Sequence, residues 1–364
     1  MSEGSASSAC YARGTAAPVQ AVPARLVKKS FVRRVPDRSQ LLRRSVQAAF
    51  LLLNLWIGAR FYFFVRYYET GGQTAFVGRP PGVEGWLPIA GLMNLKYALL
   101  TGSVPDVHPA AMFLLVAFVV ISFVARKAFC SWLCPIGTLS EWLWEGGREI
   151  FGRNVQAPRW LDIPLRSLKY LLLGFFGYAV ASMAVPDLHA FITSPYGLVA
   201  DVKMMNFFRR IGTTGAGIIA MLLVGSVFVK NLWCRYLCPY GALVGLVSLF
   251  SPARIRREAD VCIDCAKCAK ACPSLLPVDK VTTVKSAECT GCLECVAVCP
   301  AQGALRLSVG RSRAIPTWAV AATIAAVFLG IVGFAQLTGR WHSNVADAVY
   351  RELIPAADGY AHPQ

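Results

Sequence analysis

Long apolar stretches separated by shorter polar ones dominate the pattern of this chain. Five of them are long enough to cross about 30 Å of hydrocarbon as helices, because each holds about 20 residues. They cover residues 46–65, 108–128, 165–185, 213–232 and 314–337. A further apolar stretch, residues 86–102, is shorter, and we interpret it as re-entrant or interfacial. The pattern predicts a mainly α-helical membrane protein with five transmembrane helices.

The positions of the basic residues predict the orientation of these spans. The chain has 37 Lys and Arg against 20 Asp and Glu, a net charge of +17. Most basic residues precede the first span or lie between the second and third spans and between the fourth and fifth. Because basic loops stay cytoplasmic, we expect a multi-pass protein of the bacterial inner membrane with its N-terminus inside and its C-terminus periplasmic. Charge at span ends also argues against nucleic acid as a partner.

Eight of the 13 cysteines form two C-x-x-C-x-x-C-x-x-x-C-P runs. Three thiolates two residues apart can hold one [4Fe-4S] cluster, while the fourth lies beyond reach and binds the other cluster. The spacing therefore predicts two [4Fe-4S] clusters with crossed ligands. The two predicted ligand sets are Cys262, Cys265, Cys268 and Cys299 for the first cluster, and Cys289, Cys292, Cys295 and Cys272 for the second. Zinc knuckles and disulfides are the alternatives, and the proline after each run argues against zinc.

A second cysteine motif, C-x-x-x-C-P-x-G, occurs at residues 130–137 and again at 234–241. Each copy follows an apolar span, which predicts two parallel-topology repeats. Such repeats would bring both cysteine pairs to the cytoplasmic mouth of a four-helix bundle. The motif cysteines are Cys130, Cys134, Cys234 and Cys238. They form either a redox or metal site, since thiolates suit iron, copper and zinc, or a set of small buried residues that pack as hydrophobes.

Two histidines, His108 and His189, each end a Pro-Asp-x-His sequence at the outer end of a span. A neighbouring Asp can raise the basicity of a His, so both are candidates for a quinol and proton site. The alternative is that each Asp caps the following helical turn. We do not expect haem.

The repeated C-x-x-x-C-P-x-G motif combined with a two-cluster ferredoxin resembles the NapH, NosR and CcoG group of membrane polyferredoxins. Residues 65–70, 84–91 and 161–166 narrow the resemblance to YccM-type electron transport proteins, over nearly the whole chain from about residue 45. The resemblance implies electron transfer between the quinone pool and an unidentified redox partner protein, with the eight ferredoxin cysteines as cluster ligands. It leaves open whether the chain is an enzyme, such as a quinol dehydrogenase subunit.

These observations divide the chain into five predicted parts. They are a disordered basic cytoplasmic segment (1–45), a four-helix membrane domain (46–250), an α+β bacterial-type 2[4Fe-4S] ferredoxin module (258–309), a fifth transmembrane helix (314–337) and a short outer tail (338–364). We interpret the chain as a membrane-bound electron-transfer protein. The alternative is a metal-handling or assembly factor of the cupric reductase type that uses the C-x-x-x-C-P thiols.

Overall fold

A computed structural model describes residues 39–310 and 313–363 of the protein. Helices make up most of this described part. Most of the predicted N-terminal segment, residues 1–38, lies outside this part. The helices are α1 (Ser39–Glu69), α2 (Pro88–Thr101), α3 (Pro109–Val124), α4 (Pro135–Phe151), α5 (Arg159–Ser182), α6 (Val185–Thr193), α7 (Pro195–Leu198), α8 (Ala200–Arg209), α9 (Thr213–Phe228), α10 (Leu232–Tyr236), α11 (Pro239–Ser248), α12 (Lys267–Ala271), α13 (Glu294–Ala297), α14 (Thr317–Leu337) and α15 (Asp347–Leu353). Short 3-10 helices cover Pro81–Trp86 and Ala357–Gly359, and a π-helical turn covers Phe129–Leu133.

One small antiparallel sheet closes the cysteine-rich module. Its strands are β1 (Ala253–Arg257), β2 (Leu305–Val309) and β3 (Arg313–Ala314), in the order β1-β2-β3. Residue Ile255 of β1 pairs with Leu307 of β2, and both side chains are buried. The sheet therefore joins the start and the end of the ferredoxin module, and the two cysteine runs lie on the chain between these strands.

Two helices, α1 and α14, are each long and apolar enough to cross a membrane. Two bent helix pairs raise that number to four if each pair is one span: α5 with α6, bent by 104°, and α8 with α9, bent by 81°. Helix α3 is apolar but has only 16 residues. The described residues thus contain two to four candidate spans, as expected for a membrane protein.

The ferredoxin module contacts one end of the helical bundle, which we call the ferredoxin end. Gln40 in the first turn of α1 donates a hydrogen bond to the carbonyl of Cys292 (3.0 Å). Lys169 in the middle of α5 forms an ion pair with Glu288 (2.6 Å). The segments that follow α3 and α9 also donate hydrogen bonds to the module.

The opposite end of the bundle, which we call the far end, gathers the end of α1, the start of α3, helix α8 and the C-terminal tail. Glu69 at the end of α1 pairs with Arg209 of α8 (2.8 Å), and Tyr68 donates a hydrogen bond to Asp347 of the tail. Tyr350 of α15 packs against the same aromatic cluster. Helices α1, α3, α5, α9 and α14 therefore run between the two ends in alternating directions.

The apolar stretch 86–102 forms α2, which packs against the first turns of α3. The two backbones approach so closely that a Cβ on Gly91 would lie 2.6 Å from the carbonyl oxygen of Ala111. Asn94 donates hydrogen bonds to the carbonyls of Val107 (2.9 Å) and His108 (2.8 Å). Helix α2 is thereby held at the far end of the bundle.

Candidate iron–sulfur and thiol sites

Matching backbone conformations shape the two cysteine runs of the ferredoxin module. In the first run, Asp264 and Ala266 have positive φ angles of 53° and 55°, and Gly291 and Leu293 occupy the equivalent positions of the second run with 64° and 61°. Each left-handed residue turns the chain sharply, so that successive cysteines point to a common centre. The third cysteine of each run then lies on a short helix, α12 or α13.

The fourth cysteine of the first run lies among the cysteines of the second run. Cys272 lines one small internal cavity together with Cys289, Cys292 and Cys295. In the other set, burial raises the pKa of the Cys268 thiol, and negative charge on nearby groups that include Cys299 adds to the increase. The structure thus places Cys272 with the cysteines of the second run and Cys299 near Cys268 of the first run.

The four cysteines of the C-x-x-x-C-P motifs line a single large cavity of about 1040 Å³. Cys134 and Cys238 are the N-cap residues of α4 and α11, and their sulfur atoms accept hydrogen bonds from the backbone N–H groups of Gly137 (3.5 Å) and Gly241 (3.2 Å). The internal repeat of the sequence therefore recurs as two equivalent cysteine pairs in space.

Close backbone packing explains the glycine of the first motif. A Cβ on Gly137 would lie 2.3 Å from the carbonyl oxygen of Cys130, so only glycine lets α4 start against the preceding turn. Burial raises the pKa of Cys130 to about 11, against the opposing positive charge of Lys127. Burial likewise raises the pKa of Cys134 to about 12. Without a ligand both side chains are protonated thiols at neutral pH.

The large cavity extends from the four thiols along the inner faces of several helices to the far end. Its middle is lined by apolar side chains, namely Phe50, Leu53 and Ile57 of α1, Leu114 and Phe118 of α3, and Phe328 and Val332 of α14. Polar groups lie at its two ends, with Arg79 and Ser343 at the far end and Thr290 at the ferredoxin end. Cys292 lines both this cavity and the small cavity of the second cysteine set.

The two candidate histidines have different environments. His108 is buried, with Nδ1 3.0 Å from Nη2 of Arg79 and Nε2 2.9 Å from the carbonyl oxygen of Gly197. Nδ1 also lies 3.5 Å from a carboxylate oxygen of Glu84, so the ring lies among buried charged groups. His189 is exposed and lies against the ring of Tyr97.

A buried group of charges around Arg79 was missed by sequence reasoning. Arg79 forms ion pairs with Glu84 (2.6 Å) and Asp201 (2.7 Å), whose side chains are almost completely buried. Burial would raise the pKa of Glu84, but the charge of Arg79 and the contact with His108 outweigh it and lower the pKa to about 2. Glu84 lies two residues before the apolar stretch 86–102, and an acidic residue next to a membrane stretch is a signal that could have selected it from the sequence.

Two family models of iron–sulfur domains match the chain. A model described as a 4Fe-4S binding domain matches residues 107–157 and again 211–258, and a 4Fe-4S dicluster domain matches residues 253–307. The first covers both C-x-x-x-C-P motifs and the second covers both ferredoxin runs. Together with the helical bundle, they define a membrane-associated iron–sulfur electron transport protein.

Similarity to known proteins identifies the family. The chain is 51% identical to "Putative electron transport protein YccM" of Escherichia coli (strain K12), over 88% of this chain and 91% of that protein. It is 29% identical to "Regulatory protein NosR" of Pseudomonas aeruginosa, over 58% of this chain and 29% of that protein, and 28% identical to "Ferredoxin-type protein NapH" of E. coli, over 50% and 62%. The chain belongs to the YccM family, which confirms the resemblance seen in the sequence. No solved structure matches it.

Proposed function

We propose that this chain transfers electrons between the quinone pool and a redox partner protein through two [4Fe-4S] clusters at the cytoplasmic face of the bacterial inner membrane. The observation that carries the proposal is the position of Cys292. This residue belongs to a predicted cluster ligand set and also lines the large apolar cavity between the helices. A quinone in that cavity would therefore lie next to the ferredoxin module.

The eight cysteines of the ferredoxin module are the proposed cluster ligands. The donor set fits two cubanes, because four thiols surround the small cavity and the fourth cysteine of each run lies with the other run. When bound, such clusters accept and donate single electrons. The protein holds the thiolates in place with the left-handed turns at residues 264, 266, 291 and 293, and Gln40 fixes the backbone at Cys292.

The large cavity suits a quinone in size and lining. Small-molecule sites typically measure about 300–1000 Å³ and are mostly apolar with a few polar groups, and this cavity has about 1040 Å³ with polar groups at its two ends. The apolar middle would accommodate an isoprenoid tail. A polar end offers hydrogen-bond partners for the quinone ring.

The five alternating helices support a topology with five spans. Helices α1, α3, α5, α9 and α14 each connect the ferredoxin end with the far end, and α2 returns at the far end as a re-entrant segment. The basic residues of the loops cluster at the ferredoxin end, which by the positive-inside rule is cytoplasmic. The C-terminal tail then lies in the periplasm.

A pair of variants tests the quinone site. Leu53 lines the cavity, whereas its neighbour Leu52 is 65% exposed on the outer face of α1 and does not line it. We expect Leu53→Trp to slow anaerobic reduction of the clusters by a quinol analogue at least tenfold and Leu52→Trp to leave the rate unchanged. Dithionite, which needs no quinone site, should reduce the clusters of both variants fully.

The rival function is a metal-handling factor of the cupric reductase type, which the gathering of four thiols in one cavity favours. The same purified protein distinguishes the two. Fewer than about eight irons per chain would contradict the two-cluster proposal. Clusters that quinol cannot reduce, in a protein that rapidly reduces cupric ion through the C-x-x-x-C-P thiols, would establish the rival.

A further inference from the structure

We propose that Cys130, Cys134, Cys234 and Cys238 bind a third [4Fe-4S] cluster at the ferredoxin end of the large cavity. The inference rests on the proposed electron-transfer function and adds a cluster between the quinone cavity and the ferredoxin module. The 4Fe-4S binding domain model matches the chain twice, but each match contains only two of these cysteines. A cubane requires four ligands, so only the two halves together can hold one.

The structure supplies four free donors in one place. All four thiols line the same cavity, and none is in a disulfide within the described residues. The two cysteine pairs also interact electrostatically with each other. Cys234 interacts with Cys130 and Cys134 of the first pair as well as with Cys238 of its own pair. The internal repeat gives the site two ligands from each half of the bundle.

The four thiols line a space in the protein. In a cubane each thiolate binds a different iron atom, so the ligands of a cluster surround a space instead of meeting at one point.

Backbone N–H groups donate hydrogen bonds to cysteine sulfur in both the thiol site and the ferredoxin module. The sulfur atoms of Cys134 and Cys238 accept from the N–H groups three residues further on, and that of Cys272 accepts from the N–H of Leu276 (3.5 Å). Such bonds favour the thiolate form and help to set cluster potentials.

A buried cation faces the proposed cluster. Lys127 is 4% exposed and lines the cavity. Its charge acts on the carboxylate of Glu288, which also forms an ion pair with Lys169 (2.6 Å), so two buried cations share one anion. Excess buried positive charge is costly, and a cubane with four thiolates is an anion that would compensate it.

Counting iron tests the inference. Anaerobically purified full-length protein should contain about 12 irons and 12 acid-labile sulfides per chain. The double variant Cys130→Ser/Cys234→Ser should contain about eight irons and eight sulfides. Its electron paramagnetic resonance spectrum should retain the signals of both ferredoxin clusters. The matched variant Cys272→Ser should lose a ferredoxin signal and keep the third. About eight irons in both the parent and the double variant would overturn the third cluster while leaving the proposed function intact, whereas fewer than eight in the parent would contradict that function.

A second measurement applies even if the double variant does not fold. Lys127→Met removes a positive charge but no sulfur ligand, so the iron content should stay at about 12. The midpoint potential of one cluster should fall, because the reduced cluster carries more negative charge, and Lys127→Arg should restore it. Identical potentials in all three proteins would contradict a cluster beside Lys127.

Discussion

Two consecutive glycines of α4 have opposite surroundings, and this difference yields a sharp prediction. A Cβ on Gly147 would lie 2.0 Å from the carbonyl oxygen of Val227 in α9, whereas a Cβ on Gly146 would meet nothing within 4 Å. We predict that Gly147→Ala destabilises the membrane domain and that Gly146→Ala does not. Helix α4 starts directly after Cys134, and α9 leads to Cys234, so the two helices in contact are those connected to the two halves of the thiol site.

The magnitude follows from the geometry. Carbon–oxygen contacts normally lie at about 3.3 Å or more, so the new methyl group forces α4 and α9 apart by more than about 1 Å. Overpacking of this kind costs about 1–3 kcal/mol. Replacing Gly by Ala in a helix stabilises both variants by about 0.5–1 kcal/mol. Since this gain is common to both, the difference in unfolding free energy between the variants isolates the steric cost of about 1–3 kcal/mol.

Thermal unfolding in detergent, followed by far-ultraviolet circular dichroism and by the visible absorbance of the clusters, measures the effect. Gly147→Ala should unfold several degrees below Gly146→Ala, and Gly146→Ala should match or exceed the parent protein. Equal midpoints for the two variants would refute the proposed contact between α4 and α9.

Three further predictions concern buried charges and the crossed ligands. Glu84→Gln leaves Arg79 with one partner fewer and should cost about 3–5 kcal/mol, whereas Glu69→Gln at the more exposed pair with Arg209 should lower the midpoint far less. Because the folded pKa of Glu84 is about 2 and its ordinary value is 4.5, its stabilisation is complete above pH 4.5 and is lost as the pH falls towards 2; the Gln variant should show a shallower decline over that range. Arg43 is buried beside Cys292 and Glu141, so Arg43→Met should lower the midpoint potential of the second cluster in a redox titration. The side chain of Arg44 is half exposed, so Arg44→Met should leave that potential unchanged. Cys299→Ser should abolish the signal of the first cluster while Cys272→Ser abolishes that of the second, and the opposite assignment would refute the crossed ligand sets.

The parts of the protein governed by local spacing were accessible from the sequence. The spacing of the cysteine runs predicted that their thiols would lie close together. Cysteines three residues apart in a tight loop have few alternative arrangements. The repeated C-x-x-x-C-P-x-G motif likewise predicted two equivalent cysteine pairs. Within each run and within each motif copy, the determining residues are close together in the chain.

Helix ends and bends depended on contacts that no local pattern shows. The first span was predicted over residues 46–65, but α1 covers Ser39–Glu69, since Arg43 and Gln47 continue the helix by binding Glu141. The fourth span was predicted to end at residue 232, whereas α9 ends at Phe228. The charge cluster at the far end was missed because Arg79 and Asp201 are 122 residues apart.

The pairing of the tail with the first helix has a consequence for biosynthesis. Tyr68 and Asp347 are 279 residues apart, and Phe64 packs against Tyr350 of the same tail. The aromatic side chains at this end of α1 therefore gain their tail contacts only after residues 347–350 have been synthesised, later than the pairing of Glu69 with Arg209 becomes possible. A chain that stopped before residue 347 would leave Phe64 and Tyr68 without these contacts.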